Sequence, residues 1–199
     1  MPKAYHHGDL RRSLIEEAAE LIEEVGLENV TLKALATRAE VSHTAPYRHF
    51  RDLSELFRSV GDAGIAMLAQ AMRRAYKRAG TDAEAQLLAV GWSVVRFSIQ
   101  KPGYFRVMFG PGRPQTVAEL RQAGPDTAMG VLLDYLADWQ RRGLFRKGDP
   151  MELALSCWVV VHGLGTLVSS GRLQIGQTQA RKLSDATLRG LLDGLRPKS

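Results

Sequence analysis

Apolar residues recur every three to four positions along residues 10–25 and form one stripe on a helix. The stripe consists of Leu10, Leu14, Ala18, Leu21, Ile22 and Val25. Gly26 follows directly, and a glycine at that place is typical of a left-handed helix end. The pattern predicts a first helix that opens within residues 5–14 and stops at Gly26.

A second pattern, TLKALATRAEVSHTAPYRHF at residues 31–50, predicts two short helices joined by a tight turn. Thr31 is placed to cap the first helix, predicted over 32–39, and Ser42 to cap the second. The outer side of the second helix is expected to carry His43, Thr44, Tyr47, Arg48 and His49. A helix of this kind fits the major groove of B-DNA, although an ordinary helical hairpin has the same pattern.

The rest of the chain predicts further helices and no strand. Asp52 with Glu55, and Thr81 with Glu84, have the spacing of capping boxes, so helices are expected over about 52–79 and from 81 to 100. Glycine and proline separate five more predicted helices, at 104–109, 116–123, 125–143, 150–170 and 178–195, with a loop at 110–115. The sequence therefore predicts an all-α protein.

Three runs of sequence resemble the N-terminal domain of the tetracycline-repressor (TetR) family of bacterial transcription regulators. They are YHHGDLRR, GLENVTLKALATRAEVS and APYRHFRDLSEL, and together they extend from Tyr5 to Leu56 without a gap. The group Tyr47, His49 and Phe50 is the most specific part of the resemblance. The resemblance implies a helix-turn-helix DNA-binding domain at 1–56, followed by a helical ligand-binding and dimerisation domain at 57–199.

Farther along, Trp158 with His162 and Gly163 resembles a tryptophan–histidine–glycine signature in the C-terminal domain of one TetR subgroup. The family resemblance as a whole implies a cytoplasmic homodimer that binds double-stranded operator DNA through paired N-terminal domains. It implies a repressor released by a small organic ligand, with activation as an alternative. The last two long helices are the implied dimer interface, and their small and apolar residues are compatible with that role: Ala154, Val161, Leu164, Leu188 and Leu191.

The expected DNA-binding residues lie at the start of the first short helix and along the second. They are Thr31, Lys33, Ser42, His43, Thr44, Ala45, Tyr47, Arg48, His49 and Arg51. Tyr47 and His49 resemble the family's phosphate-contacting pair, and Thr31 and Lys33 at a helix N-terminus also favour phosphate. Residues 43–45 open the second helix and are expected to meet base edges. A solvated helix start is an equal alternative for His43, and Arg48 either contacts DNA or points away.

Three positions depart from the family pattern. Glu40 stands in the turn where glycine is common, and a left-handed conformation there costs other residues roughly 1 kcal/mol. Pro46 falls inside the second short helix, where it lacks an N–H and crowds the carbonyl four residues back. Leu53 replaces a lysine, so one phosphate contact is expected to be missing, and Arg51 is the candidate to replace it.

Aromatic residues are concentrated in the second part of the chain, where they are expected to line an apolar pocket for the ligand. The candidates are Trp92, Phe97, Tyr104, Met108, Phe109, Trp139, Trp158 and His162. Trp158 and His162 stand one turn apart, so they can face one cavity. The alternative for each aromatic residue is an ordinary place in the core.

The formal net charge is +6, but residues 1–60 carry eight Lys and Arg against ten Asp and Glu. The glutamates gather on the first helix, whereas Lys33, Arg38, Arg48 and Arg51 are expected to make the face around residues 33–51 positive and its DNA affinity salt-sensitive. The single cysteine, Cys157, indicates a reducing compartment. The longest uncharged stretch, 153–171, is interrupted by a histidine and glycines, so a core helix is expected there rather than a membrane span.

No nucleotide-binding loop, nucleophile elbow or metal-ligand spacing is present in the sequence, so neither an enzyme nor a cofactor or metal site is expected. A ligand-binding or adaptor protein whose DNA-binding domain has lost its function is the remaining alternative. Leu53 in place of the lysine is the one feature in its favour.

Overall fold

The computed structural model describes residues 10–110 and 116–196, so the predicted start of the first helix before residue 10 and residues 111–115 of the predicted loop lie outside the described residues. Within these ranges the chain is all-helical and has no strand, which confirms the predicted fold class. Its α-helices are α1 (Leu10–Val25), α2 (Leu32–Arg38), α3 (Leu53–Arg78), α4 (Ala83–Gln100), α5 (Pro102–Phe109), α6 (Val117–Arg121), α7 (Ala128–Arg141), α8 (Pro150–Ser169) and α9 (Gln177–Leu195). Two short 3₁₀ helices span Leu27–Asn29 and Pro46–Arg48.

The helices form two compact units. The first unit holds the described residues up to Gly64 and also the segment from Lys101 that contains α5. The second unit holds Ile65–Gln100 and the described residues from 116 onward. The first unit is therefore larger than the predicted domain at 1–56, and α3 begins in one unit and ends in the other.

α5 belongs to the first unit because it packs closely against α1. A Cβ atom at Gly103 would overlap the carbonyl oxygen of Ala19, so only glycine allows this approach. Arg106 donates from Nη1 to the carbonyl oxygens of Ile22 and Glu23, at 3.3 and 3.4 Å. These carbonyls lie in the last turn of α1, and that of Ile22 also accepts from the N–H of Gly26.

The end of α1 and the start of α2 lie where the sequence predicts them, although Gly26, with a ψ of 157°, is not in the left-handed helical conformation. Gly26 has a φ of 83°, and its N–H donates to the carbonyl of Ile22. The side chain of Thr31 accepts a hydrogen bond of 3.0 Å from the N–H of Ala34 and so caps α2.

Three helix starts differ in detail from the prediction. Asp52 accepts from the N–H of Glu55, but the Glu55 carboxylate turns back to the N–H of Arg51, one residue before the expected partner. Asp82, not Thr81, caps α4, because the carboxylate next to the first helical residue accepts from the N–H of Ala85.

The third helix start, that of α7, also differs from the prediction at Pro125. Thr127 caps α7 by accepting from the N–H of Gly130 at 3.1 Å. The helix therefore begins at Ala128, three residues later than expected.

A polar cluster lies inside the second unit, around the fully buried ring of Trp139. The indole N–H of Trp139 donates to Oε1 of Gln86 at 3.2 Å, and Arg142 donates to the same oxygen at 2.7 Å. The amide nitrogen of Gln86 donates to the carbonyl of Gly80, and Arg142 also reaches the carbonyl of Thr81. The cluster thus ties the turn between α3 and α4 to α7 through satisfied hydrogen bonds.

In the described part of the chain, α8 alone is long and apolar enough to cross a membrane by length and composition. It packs against α4, α7 and α9, and its buried residues include Leu153, Ala154, Cys157 and Val161. These contacts fit the predicted core helix.

Candidate nucleic-acid interface

The turn after α2 is held by two backbone hydrogen bonds. The N–H of Val41 donates to the carbonyl of Ala36 at 3.0 Å, and the N–H of Glu40 donates to Thr37 at 3.2 Å. This pair of bonds is a Schellman motif, which requires a left-handed residue just beyond the helix. Glu40 fills that place with a φ of 54°, and among the described residues it is the only non-glycine residue with a positive φ.

The segment after the turn is not the α-helix that the sequence predicted. Three of its hydrogen bonds join residues three apart, from Ala45 to Ser42, from Arg48 to Ala45 and from His49 to Pro46, and one at its end joins residues four apart, from Phe50 to Pro46. Pro46 has no N–H and cannot donate to the carbonyl of Ser42, so the α-helical ladder does not form and a 3₁₀ turn at Pro46–Arg48 replaces it. The predicted cap also fails, because the Ser42 hydroxyl lies 3.3 Å from that of Thr44 instead of accepting from a backbone N–H.

Even so, the segment 42–49, here called the reading segment, exposes the side chains that the sequence singled out. Ser42, His43, Thr44, Tyr47 and Arg48 are exposed, and Ala45 and His49 are half-buried. Tyr47 keeps 59% of its surface accessible. Pro46 and Phe50 are buried and anchor the segment from beneath.

Arg38 does not contribute to the expected positive face. Its guanidinium donates to the carboxylates of Glu17, Glu20 and Glu24 at 2.9, 3.0 and 2.7 Å. The bond to Glu24 is the largest cause that raises the pKa of Arg38. The side chain therefore fastens α2 to α1, a pairing that the sequence did not predict because the three carboxylates lie 14 to 21 residues away.

The other basic residues of the face differ in their pairing. Arg51 forms an ion pair of 3.0 Å with Glu55, which raises the pKa of the guanidinium. The pKa of the Glu55 carboxyl is lowered by the bond from the backbone N–H of Arg51 and then by the bond from its guanidinium. Lys33 and Arg48 are exposed and form no ion pair with any residue that the structure describes. Thr31 is exposed beside Lys33 at the start of α2. Arg51 is thus an expected DNA-binding residue whose charge is already paired with a carboxylate of the protein.

Arg11 is a residue near the reading segment that the sequence analysis missed. Its guanidinium carbon lies 5.1 Å from the centre of the Phe50 ring, and Nη2 donates to the hydroxyl of Ser59 at 2.9 Å. The available signal was its position inside the YHHGDLRR run. Arg11 links α1 and α3 at the end of the reading segment.

The eight expected ligand-binding residues are divided between the two units. Tyr104, Met108 and Phe109 lie on α5 in the first unit, whereas Trp92, Phe97, Trp139, Trp158 and His162 lie in the second. A cavity of about 20 Å³ in the second unit has Trp158 in its wall and none of the other seven.

Several of these aromatic residues instead have packing roles. Trp139 is a core residue with its N–H bonded to Gln86, and Trp92 lies under the guanidinium of Arg181 at 5.5 Å. The rings of Trp158 and His162 stack with centres 6.2 Å apart, and burial lowers the pKa of His162. Trp158 and His162 thus form a stacked pair, and Trp158 lines the cavity; that both side chains share a cavity stays a prediction.

No group of three His, Cys, Asp or Glu side chains that could hold a metal ion occurs in ranges 10–110 and 116–196.

Family models match both parts of the chain. Residues 14–60 match the model described as "Bacterial regulatory proteins, tetR family", and residues 87–191 match "Tetracyclin repressor-like, C-terminal domain". The chain belongs to the tetR family. It is accordingly a DNA-binding transcriptional regulator and not an enzyme, as the sequence predicted, and α8 is not a membrane span. The Trp-His-Gly subgroup stays a prediction.

Solved structures of several other proteins have the same fold. A protein of unknown function from Rhodococcus sp. RHA1 is 29% identical with a TM-score of 0.80, and the match covers 98% of this chain and 100% of that one. The TetR family transcriptional regulator PfmR from Thermus thermophilus is 19% identical with a TM-score of 0.67, covering 94% and 98%. The fatty acid degradation regulator FadR from Bacillus halodurans is 17% identical with a TM-score of 0.71, covering 93% and 99%.

Proposed function

We propose that this regulator is a homodimeric repressor that binds its operator through the reading segment 42–49 and leaves it when a small organic ligand binds the second unit. The observation that carries the proposal is the exposure of the reading segment's polar side chains over a buried Pro46 and Phe50. The proposed site of action is the cytoplasm.

Tyr47 and Arg48 are the proposed centre of the DNA contacts. A phenolic hydroxyl that is largely exposed can donate to a phosphate oxygen, and a guanidinium with no ion pair among the described residues can bind phosphate or guanine. His43, Thr44 and Ala45 are proposed to meet base edges, and Ser42, His49, Thr31 and Lys33 to contact the backbone. Arg51 is proposed as a weaker contact because Glu55 competes for its guanidinium.

The proposed dimer interface is the outward face of α8 and α9. Of the small and apolar residues that the sequence suggests for it, Ala154, Val161, Leu164 and Leu188 are buried within the chain and are not available to a partner, and Leu191 is half-buried. Exposed apolar side chains do occur on these helices, at Val159, Leu167 and Leu183. Gly163 and Gly190 have open space where a Cβ would stand, so a partner helix can approach there.

Ligand release is proposed to act through α3, because that helix begins in the first unit and ends in the second. A ligand shifts the equilibrium only by its difference in affinity between the DNA-binding and the released states. Activation instead of repression remains the second candidate, since a ligand that favours the DNA-binding state gives the opposite response.

The test selects duplexes from a random pool with the full chain and then measures affinity for the selected sequence by fluorescence anisotropy. Tyr47→Phe and Arg48→Ala should weaken binding, while Arg74→Ala, an exposed arginine on α3 in the second unit, serves as the control. Affinity that is the same in Tyr47→Phe as in the wild type would refute the role of the Tyr47 hydroxyl.

For the dimer, Val159→Glu should yield monomers in sedimentation experiments. Val117→Glu should not, because this exposed valine lies on α6. A dimer that survives Val159→Glu and Leu183→Glu together would place the interface elsewhere.

A further inference from the structure

A small apolar cavity lies within the second unit, where five helices meet. Its wall includes Met72 of α3, Leu132 of α7, Cys157 of α8 and Leu188 of α9, and the remaining wall comes mostly from α4. No charged side chain of the described residues lines it. Burial raises the pKa of the Cys157 thiol to about 12, so this group is neutral at physiological pH.

The chemistry of the wall decides what the cavity can hold. A volume of about 20 Å³ accepts roughly one water molecule, but a buried water needs two to four polar partners. A carboxylate or ammonium group without a partner is excluded more strongly, because its desolvation is uncompensated. The wall therefore favours an uncharged, apolar occupant.

Ser184 is not part of this wall, but it lies on the same helix as Leu188, which is. Ser184 is one turn before Leu188 on the same face of α9, and its side chain is 1% exposed. Its hydroxyl makes no hydrogen bond with any group in the described ranges. Buried hydroxyls are normally paired, so this one is available to a ligand oxygen.

We propose that the cavity and Ser184 form a site for a small, uncharged, apolar molecule that carries one hydrogen-bonding oxygen. The inference deepens the proposed function, on which it rests for its regulatory meaning. A ligand larger than the cavity must displace the movable parts of its wall. Leu188 leans over Gly91, where a Cβ would overlap it, and Met72 is a flexible thioether on α3 itself. Entry therefore acts directly on the helix that continues into the first unit.

The test uses three probes with one scaffold, toluene, p-cresol and p-toluate, titrated into the full chain by calorimetry without DNA. The wild type should bind p-cresol about 3- to 10-fold more tightly than toluene, which is the gain in affinity that one additional hydrogen bond provides. It should not bind p-toluate. Ser184→Ala should reduce that ratio to about one. Leu132→Phe should abolish binding of both neutral probes, whereas Leu136→Phe, one turn farther along α7 and outside the wall, should retain it.

Failure of toluene and p-cresol to bind the wild type would overturn the proposal, and so would tighter binding of p-toluate. An unchanged ratio in Ser184→Ala would remove Ser184 from the site and with it the proposed ligand class. Because the titration contains no DNA, these results are separate from operator binding. Neutral probes that bind in the expected order but leave operator affinity unchanged would support the site and reject only the ligand-release step of the proposed function.

Discussion

The hydroxyl of Tyr76 donates a hydrogen bond of 2.9 Å to Oδ2 of Asp138, which joins the last turns of α3 to α7. Arg142 donates to the same oxygen at 3.0 Å. Burial raises the pKa of Tyr76, and the bond to Asp138 adds to that effect. Burial alone would raise the pKa of Asp138, but the bonds from Arg142 and Tyr76 outweigh it and the pKa is lowered. Within the second unit, the end of α3 is thus fixed to α7 by a charged network.

Tyr76→Phe removes this hydroxyl and keeps the ring that stacks on Tyr135 at 4.0 Å. The expected loss is about 1 kcal/mol of unfolding free energy, or roughly 2–4 °C in Tm for a chain of this size. Thermal unfolding followed by circular dichroism measures it. Tyr135→Phe is the matched control, since the Tyr135 hydroxyl has no hydrogen-bond partner among the described residues. Equal losses in both variants would show that the hydroxyl of Tyr76 contributes nothing specific.

Glu40→Gly should stabilise the protein, because Glu40 has a φ of 54° in the Schellman turn after α2. Glycine relieves the strain that a Cβ causes in left-handed backbone. It also increases the conformational entropy of the unfolded chain, which offsets part of this effect, so the net gain in unfolding free energy is roughly 0.5–1 kcal/mol. Urea unfolding is the measurement. Glu40→Gln retains the Cβ and removes only the charge, so it should be nearly neutral. A glutamine variant as stable as the glycine variant would assign the effect to charge instead of backbone.

Arg38→Met should destabilise the first unit by roughly 1–3 kcal/mol, the range for hydrogen bonds to charged groups. The substitution leaves Glu17, Glu20 and Glu24 close together without their shared cation. Added salt should restore part of the loss, because it screens the repulsion between the carboxylates. Arg12→Met is the control, since Arg12 pairs with Glu16 on the exposed side of α1. A loss that salt does not change would indicate packing as its cause.

The Arg121–Asp149 ion pair predicts a specific pH dependence. Bonds from Arg121, and then from the N–H of Met151, lower the pKa of Asp149 from the ordinary 3.8 to about 2. Between pH 3.8 and about 2 the folded state therefore binds fewer protons than the unfolded state. The stabilisation by the Asp149 ion pair is thus present above about pH 4 and is lost as the pH falls toward 2. Asp149→Asn keeps a helix-capping side chain without the charge. The stability gap between wild type and variant, measured in urea at several pH values, should close over this window, and a constant gap would contradict the assignment.

Local signals in the sequence predicted much of the fold. Thr31 caps α2 and Gly26 ends α1 as expected, because each effect depends on a few neighbouring residues. The 3₁₀ reading segment was missed, although Pro46 was recognised as unfavourable, since the lost N–H changes the whole of so short a helix. The exposure of Tyr47 and Arg48 nevertheless follows from the burial of their apolar neighbours.

Long-range pairings could not be predicted from the sequence. Arg38 was assigned to the DNA side, but its direction depends on three carboxylates on another helix. Trp139 was assigned to a ligand pocket, but its partner Gln86 is 53 residues away and makes it a core residue. The division of the aromatic residues between the two units likewise depends on the packing of α5 against α1, and the spacing of apolar residues does not predict that contact.

The stoichiometry of the complex with a selected duplex, measured by analytical ultracentrifugation, decides whether the protein reads DNA as a symmetric pair. The expected result is two chains on one pseudo-palindromic site, with half-sites about 34 Å apart along the helix axis. The affinity should fall steeply with salt but retain its preference over random duplex at each concentration. A monomer that binds the selected duplex no better than random competitor would contradict the proposed function.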